Sequence, residues 1–360
     1  MEKRRVQLVG RSTLTVSLPT AWVKKVGLTK GDVIRVAPEK DGSLRIITSS
    51  MALVKEVSKI CTINSDLCQE GDSIGRLIVA GYVGGSDIIR ITAKNRISSE
   101  NIQEVRDAEL KLMGLSIVEE TPTSMTLQCS INPTIFPINV VIRRLHTLFS
   151  IMCDEAIQAL KDSNLELAEE AQRREREANR MYALILRLLN QAQTNPTMSQ
   201  KIGMYDAGEI LDMSRVATAL EGMADWADNI AEEVRKTEIA GVGVGEKTKA
   251  SIEDYSRKIR DLSYKAMKSV FAFDADLANK LIRDFEKNLD TEAYRKIEDL
   301  TLSTSFFEAC LLRRIIWNLR RIGEIAVSIA ETAIDRAMEK EGFCSIEPSE
   351  LATAVTNKSW

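Results

Sequence analysis

Seven positions in one stretch of this chain recur 99 residues later with the same spacing and the same kind of side chain. Met213, Ala217, Leu220, Ala224, Ala227, Ala231 and Val234 step by four and three, and Leu312, Ile316, Leu319, Gly323, Ala326, Ala330 and Ala333 take the same steps. Ile230-Ala231-Glu232 also returns as Ile329-Ala330-Glu331. Steps of four and three put one stripe on one face of a helix, a narrow seam of the coiled-coil kind whose small residues let a neighbour come close. A seam that occurs twice in register implies a duplicated helical unit, each copy burying its stripe against partners.

Around these seams the pattern stays helical from Asn132-Pro133 and Pro137 almost to the C-terminus. Six long helices fit, at about 138–162, 164–193, 201–236, 246–272, 274–299 and 301–341. The glycine-rich run 239–245 separates three from three, and it is too short to link free domains. The second helix of each half starts alike. Asp162-Ser163-Asn164-Leu165-Glu166-Leu167-Ala168 corresponds to Phe273-Asp274-Ala275-Asp276-Leu277-Ala278, a capping candidate followed by acid in the first turn.

The first fifty residues read differently. Val6-Gln7-Leu8-Val9 predicts a strand, Gly10-Arg11-Ser12 a turn, and the alternation Leu14, Val16, Leu18 a second strand. Pro19 suits the first turn of a short helix through Val26, with Gly27 at its C′ position. Lys30-Gly31-Asp32 is a turn. Val33–Val36 and Leu44–Ile47 are two more strands, joined at Asp41-Gly42. A ββαββ unit below roughly 60 residues buries too little apolar area to stand alone, so a dimer is expected.

Residues 49–132 predict a small α+β domain. A helix runs from Glu70 to about Tyr82 and closes at Gly84-Gly85. A strand follows at 87–91, a helix capped by Ser98 runs to Met113 with Gly114 as its C′ residue, and strands follow at 115–118 and 124–128. Gly81-x-x-Gly84-Gly85 lacks the following Lys-Ser/Thr and the strand-to-helix order of a phosphate loop, so no nucleotide site is expected there.

Charge divides the chain in two. The first fifty residues hold ten Lys/Arg and four acids, whereas the whole chain carries −3. A basic module on an acidic body suggests two jobs. The six cysteines (Cys61, Cys68, Cys129, Cys153, Cys310, Cys344) show no zinc spacing and read as reduced thiols. No apolar run is long enough to span a membrane and no secretory leader is visible, so a cytoplasmic protein without membrane insertion is expected. His146 is the single histidine. It cannot build a catalytic relay and reads as a surface or core residue. Met181, Tyr182 and Trp226 read as core. With no nucleophile elbow, P-loop or Rossmann fingerprint, an enzyme is not expected.

Two resemblances follow. Gly10-Arg11-Ser12-Thr13-Leu14-Thr15-Val16-Ser17-Leu18-Pro19, then Trp22, Gly27-Leu28 and Lys30-Gly31-Asp32, resembles the AbrB/MazE/SpoVT swapped-hairpin fold. That resemblance implies a homodimer of interleaved hairpins that binds DNA, with Arg4, Arg5, Arg11, Lys24 and Lys25 at the matching basic positions. Contacts from such residues to DNA phosphates would dominate affinity. The alternative is a module for dimerisation or docking alone.

The duplicated helices, with Leu220-Glu221-Gly222-Met223-Ala224-Asp225-Trp226-Ala227-Asp228-Asn229-Ile230 and Leu319-Arg320-Arg321-Ile322-Gly323-Glu324-Ile325-Ala326, resemble the PhoU family of phosphate-uptake regulators, of the archaeal type that carries such a front domain. The fold implied is multidomain. A swapped-hairpin all-β (ββαββ) domain spans 1–48, an α+β linking domain 49–132, three-helix PhoU repeats 133–240 and 241–342, and a tail 343–360.

The PhoU resemblance implies E/D-x-x-x-D pairs on the second and third helices of each repeat. Carboxylates at i and i+4 stand one above the other, and two facing pairs make an oxygen cage for a divalent metal or iron. The matching positions are Glu175 and Asn179, Glu221 and Asp225, Glu286 and Asp290, and Arg320 and Glu324. Asn179 is a neutral ligand. Arg320 puts a fixed cation where an acid belongs and would neutralise Glu324 or Glu286, so metal is expected more in the first repeat than the second.

The implied function is control of phosphate-transport genes through DNA. The alternative is an adaptor on the phosphate transporter ATPase or a phosphate-signalling protein, with the front domain only dimerising. A metal-dependent phosphohydrolase lacks a nucleophile and a lysine cluster.

Overall fold

In the computed structural model the described residues are 2–38, 42–48, 58–68, 71, 73–241, 243–303 and 305–341. The predicted tail 343–360 with Cys344, most of the stretch after residue 48, Asp41 of the second turn and Glu70 lie outside them. The described residues form two compact units, one ending at Ser58 and the other beginning at Lys59.

The first unit holds β1 (Gln7–Val9), β2 (Thr13–Thr15), α1 (Thr20–Val26), β3 (Ile34–Pro38) and β4 (Leu44–Thr48). β1 and β2 form an antiparallel hairpin with Leu8 opposite Leu14, turning at Gly10, where φ is +70°. β2 stops at Thr15, short of the predicted Val16 and Leu18. α1 ends at Gly27 in the left-handed region, whose N–H reaches the carbonyls of Val23 and Lys24. The Asp32 carboxylate closes the next turn by accepting from the N–H and hydroxyl of Thr29 at 2.7 and 3.0 Å. β3 and β4 pair antiparallel, Val36 opposite Ile46.

The second unit opens with β5 (Ile60–Asn64), α2 (Ser73–Val83), β6 (Ile88–Thr92), α3 (Ser99–Lys111), β7 (Leu115–Thr121) and β8 (Ser124–Cys129). The sheet order is β5-β6-β8-β7, with β5 parallel to β6 and the other two pairs antiparallel. Ile63, Ile89, Ile91, Met125 and Leu127 on one face of the sheet bury against Ile74, Ile78 and Tyr82 of α2 and Val105 and Ala108 of α3. Gly84 and Gly85 close α2 through N–H bonds to Ala80 and Tyr82 carbonyls. Their amides are spent on the helix end, so this glycine cluster is no anion cradle.

The helical body comprises α4 (Ile138–Asp162), α5 (Leu165–Thr194), α6 (Pro196–Lys201), α7 (Ala207–Ile239), α8 (Glu246–Ala272), α9 (Ala275–Asp284), α10 (Asp290–Ser303) and α11 (Phe306–Glu341). The repeat shows in the caps. α4 and α8 each end on a non-glycine left-handed residue, Ser163 and Phe273. The next side chain, Asn164 or Asp274, then caps the following helix at the N–H of Leu167 or Leu277.

The structure corrects two helix spans. The predicted third helix at 201–236 begins only at Ala207, because Gly203 at φ +80° separates it from the short α6. Asp206 then caps α7 at the N–H of Glu209, whose carboxylate accepts from the N–H of Tyr205, a reciprocal capping box. The predicted fifth helix at 274–299 is interrupted by a π-helical turn at Phe285–Leu289.

Both seams are buried, and they are joined. α7 packs on α4, α5 and α11, and α11 also packs on α8 and α9. Gly222 of α7 faces Ile325 of α11 at 3.5 Å from where a Cβ would stand. The two bundles therefore share one continuous apolar core.

The sheet and the body are fastened through α5. Arg187 is 3% exposed and donates to the carbonyls of Tyr82 and Ser86 at 2.8 and 2.7 Å, with Asp87 at 3.3 Å. Asn190 and Gln191 donate to the carbonyls of Val83 and Gly85. The C-terminal carbonyls of α2 and its closing loop are thus met by side chains from one face of α5.

Candidate functional site

The five basic positions of the first unit are all exposed. Arg4 pairs with Glu2 at 2.5 Å. Arg5, Arg11, Lys24 and Lys25 meet no carboxylate among the described residues. Arg11 sits in the β1–β2 turn, and the two lysines lie in the last turn of α1, where the helix carbonyls favour positive charge. Beside them stand Val6, Leu8, Val9, Leu14, Val16, Val33, Val36 and Leu44, each more than half exposed. So dense a set of open apolar side chains in so short a unit is a surface that a partner would cover.

The first-repeat acidic set faces across α5 and α7. Glu221 and Asp225 lie one turn apart on α7, opposite Glu175 of α5. Asn179 donates its amide to the Glu175 carboxylate. Burial raises the pKa of Glu221, and the negative charges of Asp225 and Glu175 add to the rise. Burial likewise raises Asp225. The largest effect falls on Asp228, which sequence reasoning had passed over. Burial, then Glu175, Glu232 and Asp225, push its pKa up to about 6, against a hydrogen bond from Gln172. Its signal was legible, because Asp228 continues the face of Glu221 and Asp225 by three residues. None of Glu175, Glu221, Asp225 and Asp228 pairs with a lysine or arginine among the described residues. Nor do any three metal-ligating side chains there converge as a bound ion needs.

The second repeat is built differently. Arg320 donates to Asp290 at 2.6 Å and pairs with Glu324 at 2.8 Å, while Arg321 also pairs with Glu324. The guanidinium of Arg320 lies 5.1 Å from the Tyr294 ring and 4.9 Å from the Trp317 ring. Arg320 therefore neutralises Asp290 and Glu324 and not Glu286, which is exposed on the π-helical turn. A fixed cation between the two acids does not fit a metal cage.

His146 is half-buried on α4. Its ring meets the Ser263 hydroxyl at 3.0 Å, and burial lowers its pKa to about 4. Met181 is buried, Tyr182 is partly buried with its hydroxyl at Thr218, and Trp226 packs on the core beneath Arg321. Among the described residues no helix is long and apolar enough to cross a membrane.

Comparisons with known proteins bear on the helical body. The model of the PhoU domain matches residues 142–234, the span of α4 to α7. No curated protein matches the chain. Among solved structures, PhoU from Pseudomonas aeruginosa is 20% identical with a TM-score of 0.48, covering 57% of this chain and 97% of that one. A PhoU-like protein from Shewanella oneidensis MR-1 is 13% identical with a TM-score of 0.44, covering 58% and 100%. The match over residues 142–234 spans the same α5 and α7 that carry Glu175, Glu221 and Asp225, so that part of the chain is similar to a PhoU domain.

Proposed function

We propose that this chain regulates phosphate uptake as a homodimer that binds DNA through residues 1–48, with the PhoU body as its signalling part. The observation that carries the reading is the composition of the first unit. Exposed apolar strands stand beside Arg5, Arg11, Lys24 and Lys25, none of them paired with an acid among the described residues. A second copy interleaving its hairpins would bury the apolar strands and gather both sets of basic side chains on one surface. Lysine and arginine without acidic neighbours are free to displace counterions from DNA phosphates.

The test is affinity for the promoters of phosphate-transport genes against salt, read by fluorescence anisotropy. Log affinity should fall with log salt by about 0.9 per phosphate contact, and the slope should flatten in Arg5→Ala/Arg11→Ala. Absence of binding at low salt would leave the first unit as a dimerisation module. The body would then serve as an adaptor on the phosphate transporter ATPase or a phosphate-signalling protein.

The same reading gives a divalent cation or iron to the first repeat rather than the second. Glu175, Glu221, Asp225 and Asp228 leave negative charge uncompensated there, which an added cation would relieve. Metal content of the purified protein should fall in Asp225→Ala and stay unchanged in Glu286→Ala. Equal occupancy in the wild type and Asp225→Ala rejects the assignment.

A further inference from the structure

A cavity of about 410 Å³ opens between the α/β layer and the first bundle. Its walls are Met113, just past α3, Arg144 and Leu148 of α4, and Glu177, Arg180 and Met181 of α5. Arg180 is half-buried, and its Nε is shut off from solvent without a hydrogen-bond partner. Among the described residues no carboxylate lies within ion-pair distance of Arg144 or Arg180, Glu177 included. A buried guanidinium N–H left unmet is costly, and in most native structures an acceptor is found for it. The rest of the Arg180 side chain lines the cavity together with Arg144.

The wall chemistry narrows what such an acceptor would be. Two guanidinium groups from two helices suit an oxyanion with several oxygens, which arginine forks grip in pairs. Met113, Leu148 and Met181 give the rest of the cavity an apolar lining. The volume is that of a site for a small organic molecule and is larger than a bare ion requires. Glu177 offers an acceptor for a hydroxyl or amino group on the organic part.

The position also has a mechanical consequence. The carbonyl of Met113 accepts from the Tyr82 hydroxyl at 2.8 Å, and Tyr82 is the residue whose own carbonyl is held by Arg187. A ligand touching Met113 and Arg180 would add a second fastening across the seam that Arg187 already closes.

We propose that this cavity binds a phosphomonoester of a small organic molecule, its phosphoryl oxygens on Arg144 and Arg180 and its organic part against Met113, Leu148 and Met181. The site lies wholly outside residues 1–48, so it stands or falls apart from DNA binding. Free phosphate shares the headgroup chemistry, and the test separates the two.

The full chain is titrated by calorimetry with AMP, glucose 6-phosphate, inorganic phosphate and adenosine. At least one phosphomonoester should bind one per chain and adenosine should not. Arg144→Gln and Arg180→Gln should each weaken binding by about tenfold or more, the loss of a charge-assisted hydrogen bond. Arg144 is exposed, so Arg144→Gln should keep the wild-type unfolding midpoint and reads binding alone. Inorganic phosphate binding as tightly as the esters would overturn the organic half of the proposal. No heat from either ester, or binding that survives both substitutions, would overturn the whole.

Discussion

Replacing Gly323 by alanine sets two effects of opposite sign against each other. Alanine is favoured over glycine inside a helix by about 1 kcal/mol, so propensity alone makes Gly323→Ala stabilising. The structure reverses that sign. A Cβ at Gly323 would stand 3.0 Å from Ile259 Cδ1 and 3.1 Å from Phe285 Cδ2, and inside any real carbon contact with Phe285 Cε2. Phe285 is 5% exposed and Ile259 fully buried, so neither side chain has open space to move into. Overpacking of this kind costs about 1–3 kcal/mol, and with a Cβ contact this close the upper part of that range applies, which leaves a net loss of up to about 2 kcal/mol after the gain in propensity. The equivalent position of the first repeat, Ala224, already carries the methyl group within its buried seam. Urea unfolding followed by circular dichroism should show a lower midpoint for Gly323→Ala. In a Phe285→Leu background, where the ring is gone, the same substitution should be neutral or stabilising. A raised midpoint for Gly323→Ala in the wild-type background refutes the argument, because propensity would then have outweighed the ring.

Two further outcomes follow from the charges. Asp228 has a folded pKa of about 6 against an ordinary value of 3.8, so the folded protein holds a proton that the unfolded chain has released. Stability therefore falls as pH rises from about 4 to about 6 and levels off above. The full shift corresponds to about 3 kcal/mol, which half-exposure to solvent reduces to about 1–1.5 kcal/mol. Asp228→Asn should raise the urea midpoint at pH 7 and flatten its dependence on pH over that window, and an unchanged profile counts against the burial of this carboxylate. Arg187→Ala removes the donor to the Tyr82 and Ser86 carbonyls and should cost about 3–5 kcal/mol, with residues 73–92 losing protection first in hydrogen exchange. Retained protection there would show that the sheet holds to α5 without its arginine.

The helical body was largely legible because helix formation is local. The 99-residue offset of the seams, the caps Asn164 and Asp274, and the glycine-rich break before α8 are all written within a few residues of where they act. The third helix was misjudged although Gly203 and the Asp206-x-x-Glu209 box mark its true start, since the apolar period runs on through the break. β5 was missed for a different reason. Ile60-Cys61-Thr62-Ile63 is a short run whose partner, Ile88–Ile91, lies 28 residues on in parallel, so nothing adjacent announces it.

By itself the sequence determined most of the segments that would be helix or strand, that the helical unit is duplicated, and that a basic ββαββ module precedes an acidic body. Periodicity, caps and charge are short-range properties, and they survive without knowledge of the fold. Only the tertiary structure decided what long-range pairing does with that material. It set Arg320 between Asp290 and Glu324 and left the first-repeat carboxylates uncompensated. It brought Arg187 to carbonyls 100 residues and more away, and it opened a cavity between Met113 and the arginines of α4 and α5. The energies of such contacts depend on burial and on a partner's distance in space, and neither is a property of residue spacing along the chain.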